Sequence, residues 1–356
     1  MKNLKSVHLI ALKSFTDSVV ELGQLTVLSG LNGSGKSTLI QGIRMILSAM
    51  DSKTPYLKGF GDYEELKSKI SLRSQDIRIH LKTDDENFTL TIGKNNYNIS
   101  SDKTGLKHEY ICAARLGPTT SLPVMDHGEK RITVGSTGEY LVDYFTLFNE
   151  LKINNTMLHS ASDSTTLEIQ LNSWMSEISP GIKLHFSKVE KHDMSHVEVD
   201  SYRTTNTGFG ISYALPIVLA LLVLSSSDGA ENIVNESAKN WITSDNDKSP
   251  LLIIENPEAH LHPRGQTAMG ELVAKAAAAG VQVIVETHSD HFLDGIRIAT
   301  KNKLISNSDV SLKYFEKSKD GATEIQEITL LEDGSIEEWP EGYFDQTFTN
   351  LKRLSN

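Results

Sequence analysis

Cysteine is almost missing from this sequence: Cys112 is the only one in 356 residues, so no disulfide can form within the chain. A reduced, cytoplasmic setting is the expectation. Long hydrophobic runs are missing too. The longest, Tyr213 to Leu224, contains Pro216 and falls well short of the roughly twenty residues a bilayer span needs. It reads as a buried core helix, and no membrane partner is expected. The opening MKNLKSVHLIALKSF has a lysine-rich head, a short apolar stretch and no small-residue cleavage site, so it reads as a first strand and not as a signal peptide. Positive charge is in deficit, with a formal net charge of −11. A dominant non-specific grip on DNA or on an acidic membrane needs clustered Lys and Arg and is excluded, although a local basic groove is not. Internal repeats and sustained heptads are absent as well, so the chain reads neither as a repeat array nor as a coiled coil.

What is present is an alternation of buried-type strands and amphipathic helices. Residues 4–10 and 25–29 read as strands on either side of the segment TDSVVEL. Leu39, Ile40, Ile43, Ile46 and Leu47 recur at helical spacing, which predicts a helix from Lys36 to Met50. From about Gln75 to Ser100 apolar and polar residues alternate between polar turns, the pattern of an antiparallel meander. HEYICAARLG predicts a further strand ending near Arg115. Helices are expected near 138–152 and 163–178, and strands at IKLHFSKVE and SHVEVDSYR. PLLIIE and VQVIVE are short continuous apolar runs of the kind found in buried parallel strands. A helix from Pro263 ends at Gly280, and another follows at DHFLDGIRIAT. The last fifty or so residues read as a small mixed β segment.

Residues 29–40, SGLNGSGKSTLI, fit the pattern G-x-x-x-x-G-K-[ST] from Gly30 to Ser37, between an apolar strand and an amphipathic helix. Glycines let the backbone turn its N–H groups toward phosphate, and the helix start adds the positive end of its dipole. The loop from Asn32, Gly33, Ser34 and Gly35 to Lys36, Ser37 and Thr38 is therefore the candidate binding site for ATP. Lys36 neutralises the β and γ phosphates, and the Ser37 hydroxyl ligates Mg2+. A dinucleotide site is disfavoured, because the glycines are spaced G-x-x-G-x-G and a lysine follows directly.

LLIIENPEAHLHP carries Glu255 to the carboxyl end of a strand, where α/β folds bind ligands and where a carboxylate can hold Mg2+. VQVIVETHSD ends another strand with Glu286, Thr287 and His288. Together these motifs resemble an ATP-binding-cassette-type ATPase head, as in structural-maintenance-of-chromosomes and recombination proteins. They resemble more closely the overcoming-lysogenization-defect-like AAA ATPases of bacteria. Closest is a subgroup marked by ENPEAHLHP, ETHSDH and WPEGYFDQ, all present here, the last at Trp339 to Gln346. VGSTGEYLVDYF and AARLGP are also similar to that subgroup.

The resemblance implies an α/β P-loop NTPase fold of the ATPase-head type, with a mixed central sheet, an antiparallel β meander and a helical insertion. The head would span 1–305, with the meander at 75–115 and an α/β insertion at 136–205, and the small β segment at 306–356 would pack on it. It also implies roles. Glu255 stands at the Mg2+-side acid, and His288 matches the switch histidine. Gly208, Gly210 and Ser212 fall in the slot of the signature motif that caps a nucleotide bound by a second subunit, though not in the usual serine-glycine-glycine order. Asn256 occupies the place of the catalytic glutamate. An amide cannot accept a proton from water at neutral pH, so turnover is expected to be slow, with Glu258 as the substitute base. The implied partners are a second copy of the chain, or a higher homo-oligomer, and an effector protein from a neighbouring gene, with nucleic acid as a further candidate.

Other readings attach to parts of the chain. His260, His262, Glu286, His288 and His291 have ligand types suited to zinc or manganese, but alternate residues on the loop after LLIIE also suit a dimer-contact loop, the reading the resemblance implies for His262. Arg115 reads equally as a phosphate or coupling contact and as a surface ion pair. Cys112 reads as a buried structural thiol, and the Trp339 region as an aromatic cluster that packs the C-terminal segment onto the core. The rival functions are an ATP-sensing scaffold with little turnover, a small-molecule kinase, for which no arginine-bearing lid is visible, and a nuclease built on the histidines.

Overall fold

The computed structural model describes residues 3–51, 54–100, 106–125, 132–189, 194–244 and 249–355. In chain order the elements are β1 (Leu4–Leu12), β2 (Phe15–Glu21), β3 (Leu25–Gly30), α1 (Lys36–Met50), the single turn α2 (Tyr63–Leu66), β4 (Ile77–Thr83), β5 (Asn87–Ile92) and β6 (Tyr97–Ser100). β7 (His108–Ile111), β8 (Leu122–Pro123), α3 (Leu141–Phe148), α4 (Leu167–Ile178), β9 (Leu184–Val189), β10 (Met194–Val199) and β11 (Tyr202–Arg203) follow. The remainder is α5 (Phe209–Leu224), α6 (Glu236–Thr243), β12 (Leu251–Glu255), α7 (Pro263–Ala278), β13 (Gln282–Glu286), α8 (Asp290–Lys301), β14 (Val310–Lys317), β15 (Thr323–Ile328) and α9 (Gln346–Leu354). The fold is mixed α/β, and the chain forms two compact units.

The first unit comprises Met1–Lys107, Ser308–Leu331 and Ile336–Asn356. Its antiparallel sheet has the order β2-β1-β4-β5-β6. In β4, Ile77, Ile79, Leu81 and Thr83 are buried while Arg78 and Lys82 face water, as a period of two requires. Helix α1 covers the apolar side with Leu39, Ile40, Ile43, Ile46 and Leu47, all buried. Each such side chain contributes about 1.5–3 kcal/mol by leaving water. Elsewhere in this unit β14 lies parallel to β3 and antiparallel to β15, so the C-terminal segment is part of this unit. The aromatic packing expected there is present: the buried Tyr343 ring sits 5.6 Å from Tyr314 of β14, 5.7 Å from Trp339 and 5.0 Å from Phe344.

The second unit comprises His108–Asn307 and Glu332–Ser335. Here β12 lies between β13 and β7, parallel to both. All of β13 is buried, as is β12 up to its last residue, which explains their uninterrupted apolar sequences. Helices α7 and α8 meet backbone to backbone: a Cβ on Gly270 would lie 2.2 Å from the Phe292 carbonyl oxygen, and one on Gly295 would lie 2.1 Å from that of Thr267. Helix α5 is the expected core helix, buried from Ala214 to Leu224. A smaller antiparallel group holds β9, β10, β11 and β8.

Three expectations need correction. TDSVVEL is no connecting segment but most of β2, paired with β1 through a two-residue reversal at Lys13 and Ser14. Lys13 takes the left-handed conformation there (φ 47°), so no glycine, asparagine or proline marks the turn. The strand at HEYICAARLG stops at Ile111 and does not extend the meander; it pairs in parallel with β12, His108 opposite Leu251 and Ile111 opposite Ile254. The segment after β15 also carries a helix, α9.

Candidate functional site

In the first unit, β3 delivers the chain into the glycine-rich loop. Gly33 (φ 78°) and Gly35 (φ 118°) are in the left-handed region, where a side chain is strained. A Cβ on Gly33 would meet nothing within 4 Å, so its backbone stands open to a ligand. A Cβ on Gly35 would lie 2.3 Å from the Thr323 hydroxyl, so the loop can close only over a glycine. Helix α1 then begins at Lys36 with no side-chain cap and no acid in its first turn. Its positive end is left for an anion. Lys36 is 3% exposed, and its Nζ donates to the carbonyls of Gly30 (2.9 Å) and Leu31 (3.0 Å), so the ammonium is curled back over the loop. Asn32, Gly33 and Ser37 are exposed, and Thr38 is half-buried. The Ser34 hydroxyl is buried without a hydrogen-bond partner. An open left-handed loop, an uncapped helix start, a held ammonium and an orphaned hydroxyl are the features a bound polyphosphate requires, so the residues present fit ATP.

In the second unit, β12 ends at Glu255. Its carboxylate accepts from the Tyr110 hydroxyl (3.0 Å) and from the Ala113 N–H (3.2 Å). Asn256 follows in the left-handed conformation (φ 46°), its N–H donating to the Glu286 carbonyl (2.8 Å) and its Oδ1 buried without a partner. Arg115 is not the surface ion pair that was one of its two readings. It is buried, with Nη1 donating to the carbonyls of Cys112 (2.9 Å) and Glu255 (2.6 Å) and Nη2 to that of Asn256 (2.6 Å). Its guanidinium also lies 5.0 Å from the Tyr213 ring centroid. Burial lowers its proton affinity, opposed by Cys112, Glu258, Tyr213 and Glu255.

Glu258 ties the turn after β12 to the turn after β13. It accepts from the Thr287 hydroxyl (2.9 Å) and from the His288 N–H (2.8 Å). Burial raises its pKa, and the hydrogen bonds from His288 and Thr287 and the charge of Arg115 pull it back. His288 is 41% exposed at its side chain, with Nε2 4.0 Å from Glu286.

The residues proposed for the signature slot stand at the start of α5, where Gly208 is the N-cap, without a side-chain cap or an acid in the first turn. A Cβ on Gly210 would lie 2.7 Å from the His260 carbonyl oxygen, so this turn presses against the segment after β12. Pro216 has no N–H to return to the Ser212 carbonyl.

The histidines do not assemble into a metal centre. His260 packs its ring against Phe209 (5.3 Å) and Tyr213 (4.8 Å), and His262 caps α7 by accepting the Arg264 N–H. Among the described residues no group of three or more His, Cys, Asp or Glu side chains is arranged to hold a metal ion. Nor is any described helix long and apolar enough to cross a membrane. Sequence reasoning missed Thr323, Tyr110 and the anchoring role of Arg115. Neither Thr323 nor Tyr110 belongs to a quoted motif, and all three have a hydrogen-bond partner more than a hundred residues away in the chain.

Three family models match. One described as AAA domain covers residues 6–179, one described as AAA ATPase domain covers 143–293, and one described as a protein of unknown function (DUF3696) covers 305–354. The first two support an ATPase of the AAA type. No curated protein matches the sequence. Among solved structures, the chain is similar to an SMC head bound to the C-terminal winged-helix domain of ScpA, with a TM-score of 0.55 at 12% identity over 92% of this chain and 98% of that one. It is similar to the same degree, 0.55 at 10% identity over 100% of both chains, to an SMC head domain with an extended coiled coil bound to the C-terminal domain of ScpA from Pyrococcus furiosus. At these identities the likeness shows the fold alone: a mixed α/β fold that matches the SMC head structures.

Proposed function

We propose that this chain is a slow, nucleotide-gated ATPase switch. What carries the reading is the build of the loop from Asn32 to Thr38, with Lys36 held on the Gly30 and Leu31 carbonyls at an uncapped helix start. In this reading the loop N–H groups and Lys36 hold the triphosphate, and Ser37 and Glu255 are the Mg2+ ligands. The ion would supply charge neutralisation on the phosphates. Gly208, Gly210 and Ser212 close over the nucleotide of a second copy, so that ATP drives dimerisation and hydrolysis releases it. Glu258 is the candidate base in place of Asn256, and its burial-raised proton affinity suits that task. His288, half-exposed, is the candidate sensor of the γ-phosphate. The switched partner would be an effector protein from a neighbouring gene, or nucleic acid, in genome maintenance or anti-phage defence. The resemblance of the motifs supports this, and so does the fact that the solved SMC heads it is similar to are bound to a protein partner.

The mass of the purified chain in solution, with and without ATP and Mg2+, tests the switch. A doubling with nucleotide is expected, and a mass unchanged at saturating ATP overturns the gated dimer. Asn256 favours a second reading, an ATP-sensing scaffold with little turnover that assembles with an effector nuclease. Dimerisation without measurable phosphate release selects it.

A further inference from the structure

The C-terminal segment matched by the family model of unknown function is built into the phosphate loop. β14 runs alongside β3 in parallel register, Phe315 opposite Gly30. A Cβ on Gly30 would lie 2.2 Å from the Phe315 carbonyl oxygen, so the first glycine of the loop is tight against β14. β15 returns and presents its first residue, Thr323, to the same loop. The Thr323 hydroxyl donates to the Ser34 carbonyl (2.9 Å) and is 2.7 Å from the Ser14 hydroxyl, while the Thr323 N–H donates to the Ser14 carbonyl (2.9 Å). Its side chain occupies the space a Cβ on Gly35 would need. Thr323 is 7% exposed, so water does not substitute for these bonds. Ser34 and Gly35 lie between the open Gly33 and the buried Lys36. A bond to the Ser34 carbonyl therefore fixes the Ser34–Gly35 peptide, whose N–H belongs to the loop that is to face phosphate. The outer end of this structure is the C-terminal aromatic cluster, through the contact of Tyr314 on β14 with Tyr343.

We propose that Thr323 is a positioning residue for the nucleotide site: its hydroxyl sets the conformation of the glycine-rich loop, and the C-terminal hairpin is an integral wall of that site. The inference rests on the reading of the loop as an ATP site. Binding of an ATP analogue with a fluorescent ribose substituent, in Mg2+, tests it on the full chain as wild type, Thr323→Val and Thr323→Ser, alongside thermal unfolding without nucleotide. Valine keeps the shape and removes the hydroxyl; serine keeps the hydroxyl. The expected result is a dissociation constant raised about tenfold for Thr323→Val, the effect of one lost hydrogen bond in a preorganised site, and within about threefold of wild type for Thr323→Ser. An unchanged dissociation constant in Thr323→Val, whatever its melting temperature, assigns the residue a merely structural role and overturns the inference while leaving the ATP site intact. An equal loss in Thr323→Ser also overturns it, since the methyl group would then be the part that matters. Failure of the wild type to bind the analogue overturns the ATP reading and this inference together.

Discussion

The glycine-rich loop of the first unit and the acidic turns of the second are held in opposite ways. Apart from Lys36 turned onto the Gly30 and Leu31 carbonyls, the loop is held by neutral groups: the Thr323 hydroxyl, itself paired with that of Ser14, and the backbone of β14. The turns after β12 and β13 are fixed by buried charge: Arg115 on three carbonyls, and Glu258 across to Thr287 and His288. Neutral clamps are weak one by one and leave the electrostatic field of the helix start free for an anion. Buried charges are strong anchors only while every bond is made, and they fail abruptly when one partner is removed. The first unit thus has a loop held by neutral groups with its helix start open to an anion, and the second has turns held by buried charged side chains.

The largest expected break in this contrast is Arg115→Ala. It leaves three carbonyls without their buried donor and should lower stability by about 3 kcal/mol, read as a fall in the urea midpoint. Arg115→Lys should recover less than half of that, because one ammonium cannot reproduce the fork that spans Cys112, Glu255 and Asn256. A wild-type midpoint in Arg115→Ala would remove this buried charge as an anchor of the turns.

A smaller effect sharpens the contrast through pH. Burial raises the Glu258 pKa above its ordinary 4.5. Its folded pKa then exceeds its unfolded one, so the stability it contributes is fully present below about 4.5 and is lost as pH rises through the folded value. Glu258→Gln does not titrate. The stability advantage of wild type over Glu258→Gln should therefore shrink as pH rises from 4 toward 7, measured as the difference in melting temperature. A difference that grows over this range contradicts the assignment of desolvation as the dominant cause.

Much of the fold was legible because its signals are local. The helix after the loop, the buried strands β12 and β13 and the core helix α5 announce themselves by apolar period and run length. The loop itself is a contiguous motif whose glycines have steric causes within a few residues. The turn at Lys13 was not legible, since a left-handed lysine has no sequence signature. Nor was the pairing of β7 with β12, a contact between strands about 140 residues apart in sequence, which depends on tertiary context. Arg115 and Thr323 were hidden for the same reason: their hydrogen-bonded partners lie up to 289 residues away in sequence. The histidines left a metal site open beside a dimer-contact loop; one packs on aromatic rings and another caps a helix.

The central claim is that Lys36 and the loop around it hold a triphosphate. Calorimetric titration of ATP with Mg2+ into wild type and Lys36→Ala tests it most directly. The account predicts saturable binding of one nucleotide per chain in wild type and at least a hundredfold weaker binding in Lys36→Ala, the loss expected when a buried cation is withdrawn from phosphate (roughly 3 kcal/mol). Equal affinities in the two proteins, or no binding in either, would contradict it.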